Sequence, residues 1–319
     1  MSSEKSRGYL LGAIAAASYG LNPLFALPMY AAGMGVDSVL FYRYVLAVVM
    51  LGALIVCKGH SLALRKKDLV PLVVMGVLMA SSSLFLFQSY HYMDAGIAST
   101  ILFVYPVLVA LIMAIGFHEK ITLVTWSSIL LAFVGVALLC IGESGVSVNM
   151  IGVLLVFASA LSYAIYIVGV NRSSLSEMDT EKLTFYVLLI GLMVYVVRLR
   201  FLVDLQMIPT LPLWGCGIGL ALFPTIISLV TMAGAIRRVG STPTAILGAL
   251  EPVTALLFGV LVFGEAFTMR ILSGVILILI GVTCIIAGES LSLQVLRFAH
   301  HSRIMSLPRK LWHMRHRTY

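Results

Sequence analysis

The chain of 319 residues is 61% hydrophobic and only 11% charged, with a mean hydropathy of +1.08; soluble domains carry about 25% charged residues and roughly 45–50% apolar ones, so a water-soluble globule is excluded. The net charge of +8 does not point to nucleic acid, because Lys and Arg sit in short loops and in the last thirty residues, the pattern of a membrane protein whose basic residues set its orientation. The four cysteines, Cys57, Cys140, Cys216 and Cys284, form no CxxC pair, and no metal, cofactor or catalytic constellation is expected.

A helix crosses the hydrocarbon core with about 20 mostly apolar residues, and ten segments meet that length. The first, 8–30, is too long for the apolar core of a secretory leader and is read as a span. It carries Ser18, Tyr19, Asn22 and Pro23. Ser18 and Asn22 are one turn apart and can face one cavity, and Pro23 frees a carbonyl one turn earlier. The second, 37–57, contains Arg43. Three roles are open to it: snorkelling to the outer headgroups, lining an outer vestibule, or pairing with Asp37 or Asp94. The third, 69–93, ends in Gln88, Tyr90 and His91, with Asp94 just beyond. Gln88 and His91 share a face and are read either as packing residues or as groups that contact a solute. The fourth, 96–116, holds Tyr105 and Pro106, and Glu119 lies just past it.

The fifth span is 122–141. The sixth, 151–171, presents Ser159, Ser162, Tyr163 and Tyr166, whose hydroxyls can orient a small polar ligand. The seventh is 182–202. The eighth, 211–236, has Pro224 followed by Thr225 and Ser228, and is expected to kink there. The ninth, 242–263, buries Glu251 beside Pro252, with Glu265 past its end. An ionisable group at this depth is expensive. Glu251 is therefore read either as a cavity residue that contacts solute or takes a proton, or as a carboxyl bonded to backbone freed by the proline. The tenth is 269–288. The tail, 289–319, mixes basic and apolar residues and is expected on an anionic membrane surface.

With the N-terminus inside, seventeen Lys and Arg fall in inside segments and three in outside ones, Arg43 being within a span. That bias predicts both termini in the cytoplasm.

The chain also repeats itself. Tyr105-Pro106-Val107, Phe117, Glu119, Thr122 and Gly135-Val136 recur as Glu251-Pro252-Val253, Phe263, Glu265, Thr268 and Gly281-Val282, at a constant offset of 146. Ser18-Tyr19 and Phe41-Tyr42 recur as Ser162-Tyr163 and Phe185-Tyr186 at an offset of 144. Five spans per repeat is an odd number, so the second repeat enters the membrane inverted. Inverted repeats suit alternating access about a midplane site.

On these residues the chain resembles the repeated EamA domain of the drug/metabolite transporter superfamily. The shared pattern is a Pro early in the fourth helix of each repeat (Pro106, Pro252), a Glu at its end (Glu119, Glu265) and a Gly in the fifth helix. Phe41-Tyr42-Arg43-Tyr44 is similar to the family's second-helix motif, which is degenerate in the second half, where Val187 stands in place of the Arg. The resemblance implies an all-α membrane protein of ten transmembrane helices, in two inverted five-helix repeats (1–141 and 151–288), in the inner (plasma) membrane of a bacterial cell. It further implies a cavity lined by helices 1, 3, 4, 6, 8 and 9. The function expected is secondary transport, in the export direction, of small organic solutes such as amino acids or related metabolites. Proton coupling and facilitated exchange both stay open, and the oligomeric state is not readable. Nucleotide-sugar or drug transport is the alternative within the superfamily; a membrane enzyme or scaffold lacks a supporting motif. The candidate cavity residues are Ser18, Tyr19, Asn22, Gln88, His91, Tyr105, Ser162, Tyr163, Tyr166 and Glu251. Arg43, Pro106, Glu119, Pro224, Pro252 and Glu265 are expected to shape or gate the structure.

Overall fold

A computed structural model describes residues 3–118, 123–140, 149–239, 244 and 247–284. Glu119 and the tail 289–319 lie outside the described residues. Among the described residues the regular structure is entirely helical, as backbone in lipid requires. In chain order the helices are α1 (Ser3–Tyr19), α2 (Asn22–Ala31), α3 (Val36–Cys57), α4 (Leu69–Ser89), α5 (Ala95–Leu102), α6 (Tyr105–Phe117) and α7 (Leu123–Cys140). They continue as α8 (Met150–Arg172), α9 (Thr180–Arg198), α10 (Leu211–Ala221), α11 (Ser228–Val239), α12 (Leu250–Phe263) and α13 (Met269–Cys284). Seven continuous helical segments are long and apolar enough to cross a membrane: Glu4–Ala31, Val36–Cys57, Lys66–Ser89, Ala95–Phe117, Met150–Arg172, Thr180–Arg198 and Leu211–Ile236. Ile129–Leu139, Leu250–Phe263 and Met269–Cys284 are shorter and apolar.

Prolines set the breaks inside these segments. Pro23 has no N–H for the Tyr19 carbonyl, and α1 stops there; the Asn22 amide side chain donates to that carbonyl at 2.9 Å. Pro106 sits at the start of α6, immediately after the turn Phe103–Val104 that ends α5. At Pro224 the chain opens into a wide π-helical turn, Leu222–Ile227. The Leu220 carbonyl, which proline cannot serve, accepts instead from the Thr225 hydroxyl at 3.2 Å. Before Pro252, the Gly248 carbonyl is taken by the Glu251 backbone N–H at 3.0 Å. Each freed carbonyl that is satisfied locally spares the fold an unpaired polar group in lipid.

The seventh segment ends at Arg198, four residues earlier than its hydropathy suggests. Arg200, Phe201 and Leu202 adopt positive φ of 48°, 57° and 74°, which no right-handed helix accommodates. Phe201 and Leu202 remain apolar and exposed, so composition alone carries the expected span too far.

The helices before residue 141 pack mainly on those after 149: α4 lies along α8 and α9, α3 along α9, α1 along α11, α6 on α8 and α5 on α12. Close approach is bought with small residues. A Cβ on Gly20 would stand 2.5 Å from the Glu251 carbonyl, and one on Gly76 would stand 2.6 Å from Ile190. Buried hydroxyls bind the same seam. Tyr195 donates to the Ala80 carbonyl at 2.8 Å and Ser159 to the Ser82 carbonyl at 2.7 Å, while Tyr44 pairs with Ser83 at 2.8 Å between α3 and α4 on one side of it.

Both ends of the bundle are tied across the same seam. At the Cys57 end of α3, Lys58 pairs with Glu181 at 2.5 Å, Arg65 bridges Asp68 and Glu177, and Tyr186 donates to the Leu62 carbonyl. At the Val36 end, Arg198 grips Asp37 through two bonds of 2.6 and 3.1 Å. Gln206 there accepts from the Gly35 N–H, and its own N–H donates to Ser38.

Candidate functional site

Between these tied ends lies a cavity with about 1000 Å³ of atom-free space, including its open mouth. Tyr19 reaches it from the end of α1, where the Pro23 break turns the chain. Arg43 and Tyr44 come from α3, and Tyr105 from the first residue of α6. Tyr163 and Tyr166 come from one face of α8, and Thr184 and Leu188 from α9. Pro224, Thr225 and Ser228 come from the π turn and the start of α11, and Glu251 from the first turn of α12. The polar lining thus gathers where helices break, because an interrupted helix has side chains and backbone that need partners other than lipid.

An aromatic wall runs along one side. The Tyr105 and Tyr163 rings meet edge to face at 4.8 Å, and Tyr163 stacks on Tyr166 at 5.9 Å. Arg43 stands apart from this wall. It is 3% exposed, its Nε donates to the Thr225 hydroxyl at 3.1 Å, and its guanidinium lies over the Phe87 ring at 5.2 Å. The Tyr19 hydroxyl lies beside it. Asp37, one candidate partner, belongs instead to Arg198. The snorkelling role fails geometrically, since the side chain turns inward to the cavity rather than out to a headgroup.

Glu251 is half-buried and lines the same cavity. The carbonyl freed by Pro252 is satisfied by the Glu251 main chain, so the carboxyl has no such bond to make. Among the described residues neither Arg43 nor Glu251 takes part in an ion pair.

Of the sequence candidates, the structure gathers Tyr19, Arg43, Tyr105, Tyr163, Tyr166, Pro224 and Glu251 at the cavity. The others stand away from its lining. Ser18 and Asn22 are buried, Asn22 closing the end of α1. Ser162 donates to its own helix at the Ala158 carbonyl, 2.8 Å away. Gln88 is half-buried near the end of α4, and His91 is exposed and stacks on Tyr30 at 4.8 Å. Pro106 and Pro252 begin α6 and α12.

Glu265 does cap a neighbouring helix. Its carboxylate accepts the Ala95 N–H at 2.8 Å and the Gly96 N–H at 3.1 Å at the start of α5, a favoured place for negative charge. Burial nonetheless pushes its carboxyl above the ordinary range, against the lowering by those two amides.

Tyr44, Met79, Thr184, Met232 and Thr244 also line the cavity and were not singled out. Thr184 and Thr244 are single hydroxyls near the starts of apolar runs, a signal too common to stand out; Tyr44 is the last residue of the Phe41–Tyr44 motif.

A bundle of apolar helices around a buried polar cavity is the architecture of a multi-pass membrane transporter. The chain belongs to the EamA-like transporter family, which matches residues 6–141 and 150–287 and is part of the drug/metabolite transporter superfamily. Two proteins of Archaeoglobus fulgidus, each described as an uncharacterized transporter, are similar to it. One is 26% identical over 246 residues, 73% of this chain and 83% of the relative. The other is 26% identical over 216 residues, 68% and 75%. A crystal structure of a protein aligns with 88% of this chain and 96% of its own at a TM-score of 0.65 and 19% identity, a likeness of fold.

Proposed function

We propose that this transporter moves small organic solutes such as amino acids or related metabolites by alternating access, outward across the inner membrane of a bacterial cell. The observation that carries this reading is the cavity itself. It holds a buried cation, a carboxyl and several tyrosyl hydroxyls, a lining suited to a small polar solute and ill-suited to a purely apolar one.

The three shorter apolar helices complete ten spans with the seven long ones. These form two inverted repeats, 1–141 and 151–288, with both termini in the cytoplasm and the basic tail on the anionic lipid surface. The repeat is supported by paired breaks: the turn at Phe103–Val104 and the turn at Gly248–Ala249 each precede a proline near the start of the next helix. The ion-paired ends are the parts that open in turn. Glu251 is the group through which a proton gradient is coupled.

The test is flux of labelled metabolites in proteoliposomes, with and without a pH gradient. Glu251→Gln is expected to abolish the response to the gradient; wild-type flux and response in that variant remove the coupling role. A C-terminal reporter active only in the cytoplasm checks the orientation.

A further inference from the structure

The Cys57 end of the bundle brings together three metal-ligating side chains that the sequence keeps far apart. α3 ends in a glycine cap: Gly59 takes a positive φ of 68°, its N–H donates to the Val56 carbonyl, and the His60 N–H donates to the Ile55 carbonyl. Such a cap turns the chain sharply out of the helix, and it brings His60 to the start of α9. There Asp179 is the N-cap, its Oδ2 accepting the Glu181 N–H at 3.2 Å. The loop after His60 is pinned to α9 by Lys182 on the Ala63 carbonyl and Tyr186 on the Leu62 carbonyl. Ligand atoms of His60, Asp179 and Glu181 consequently lie within 4.8 Å of one another.

Glu181 shows what this cluster lacks. Its Oε1 takes the Lys58 ammonium at 2.5 Å, but its Oε2 is buried and has no hydrogen-bond partner. His60 Nδ1 faces that oxygen at 3.7 Å, too far for a hydrogen bond. The spacing is close to the roughly 3.3–3.6 Å between two ligands held about 2.0–2.2 Å from one tetrahedral ion. A buried acceptor left unbonded is costly, and a cation between the two atoms removes that cost. An entry path exists, since His60 and Asp179 line a pocket with about 1130 Å³ of atom-free space that is open to solvent.

We propose that His60, Asp179 and Glu181 bind a divalent transition-metal ion, and that the ion clamps the two halves of the chain at this end. One imidazole and two carboxylates suit Zn²⁺ and its first-row neighbours better than Mg²⁺ or Ca²⁺, which take oxygen ligands. His60 follows α3 and the carboxylates begin α9, so the ion joins these helices across the seam. Glu181 also lines a second cavity, with about 700 Å³ of atom-free space, which shares Thr184, Leu188, Thr225 and Leu229 with the central one. An ion held by Glu181 therefore sits at the edge of space that adjoins the central cavity, where it favours one arrangement of the two halves over another.

The test titrates Zn²⁺ into tag-free full-length protein by calorimetry, with Mg²⁺ as the comparison. His60→Ala, Asp179→Asn and Glu181→Gln should each weaken one equivalent of Zn²⁺ by at least about tenfold, since loss of an outer-shell partner alone costs about 10–100-fold. Lys58→Met should tighten that equivalent several-fold, because it removes a competing cation from Glu181. Cys57→Ser, at an exposed thiol nearby, should leave it unchanged. The site is overturned if no equivalent responds to the three ligand variants, if Lys58→Met fails to tighten it, if Cys57→Ser removes it, or if Mg²⁺ binds as tightly. Should Glu181→Gln fail to fold, His60→Ala, at an exposed side chain, still decides.

The clamp is read separately, in a cysteine-free background, by the rate at which a water-soluble maleimide labels Thr184→Cys. Saturating Zn²⁺ should slow labelling by about fivefold or more, and His60→Ala should abolish that effect. An unchanged rate, or equal slowing in the His60→Ala background, overturns the clamp. Neither measurement depends on solute flux, so a failure of the transport reading leaves both results standing.

Discussion

The two ends of the bundle and its middle treat charge in opposite ways. At the ends, Asp37 is matched with Arg198, Lys58 with Glu181 and Arg65 with Glu177 across the seam, Arg65 also holding its neighbour Asp68. In the middle, Arg43 and Glu251 occupy one cavity and do not meet. Pairs near water are easily exchanged for hydration, because exposed ion pairs contribute only about 0–1 kcal/mol. They can therefore open and reform. The buried guanidinium of Arg43 in the middle has no carboxylate against it among the described residues, and the structure keeps it turned toward a space where a solute fits. The contrast separates parts that hold the conformation from parts that hold the cargo.

The largest expected effect falls in the middle. Arg43→Gln and Glu251→Gln should each reduce vesicle flux by about tenfold or more with the thermal midpoint little changed; flux near wild type in both would erase the contrast. Next comes the seam that joins the regions. A Cβ at Gly76 would overlap Ile190, so Gly76→Val should destabilise the fold by about 1–3 kcal/mol, read as an earlier loss of monodisperse protein on heating.

Glu265→Ala removes a carboxylate from two amides at the start of α5 and should cost about 0.5–2 kcal/mol, more than Glu265→Gln, which retains an acceptor. The pH response sharpens this. Burial holds the Glu265 carboxyl above its ordinary value, so the folded protein binds that proton more tightly than the unfolded chain. The stability so contributed is present below the ordinary glutamate pKa and lost as pH rises through the folded one. Glu265→Gln should flatten that part of the stability profile, and an unchanged slope would refute the assignment.

The smallest effects belong at the periphery. Asp37→Asn should shift stability by about 1 kcal/mol or less yet alter the ratio of inward to outward accessibility measured by cysteine labelling from each side. His91→Ala should leave flux within about twofold, because His91 stacks on Tyr30 at the surface; a large loss would move the cavity's boundary.

Much of this was legible in the residues themselves. Apolar runs of helical length admit only helices in lipid, the prolines mark where those helices break, and the offset of 146 brings Pro106 and Pro252 into register. The tyrosines of the wall were readable for the same reason: amphipathic side chains in otherwise apolar spans need a reason to be there. The rotation of each helix was not readable. In a soluble protein a polar stripe tells which face is outward, but in a bilayer the lipid face and the packed face are both apolar. Hence Gln88 and His91 were expected at a cavity that Tyr44 and Thr184 occupy instead.

What the sequence by itself determined is the solvent, the helices, their breaks and the kinds of groups that need partners. Only the tertiary structure decided which groups meet. It gave Asp37 to Arg198 and Glu265 to the α5 amides, and placed Arg43 and Glu251 in one cavity with no ion pair between them. Pairing depends on the angle at which each helix presents its side chains, and packing across the seam sets that angle.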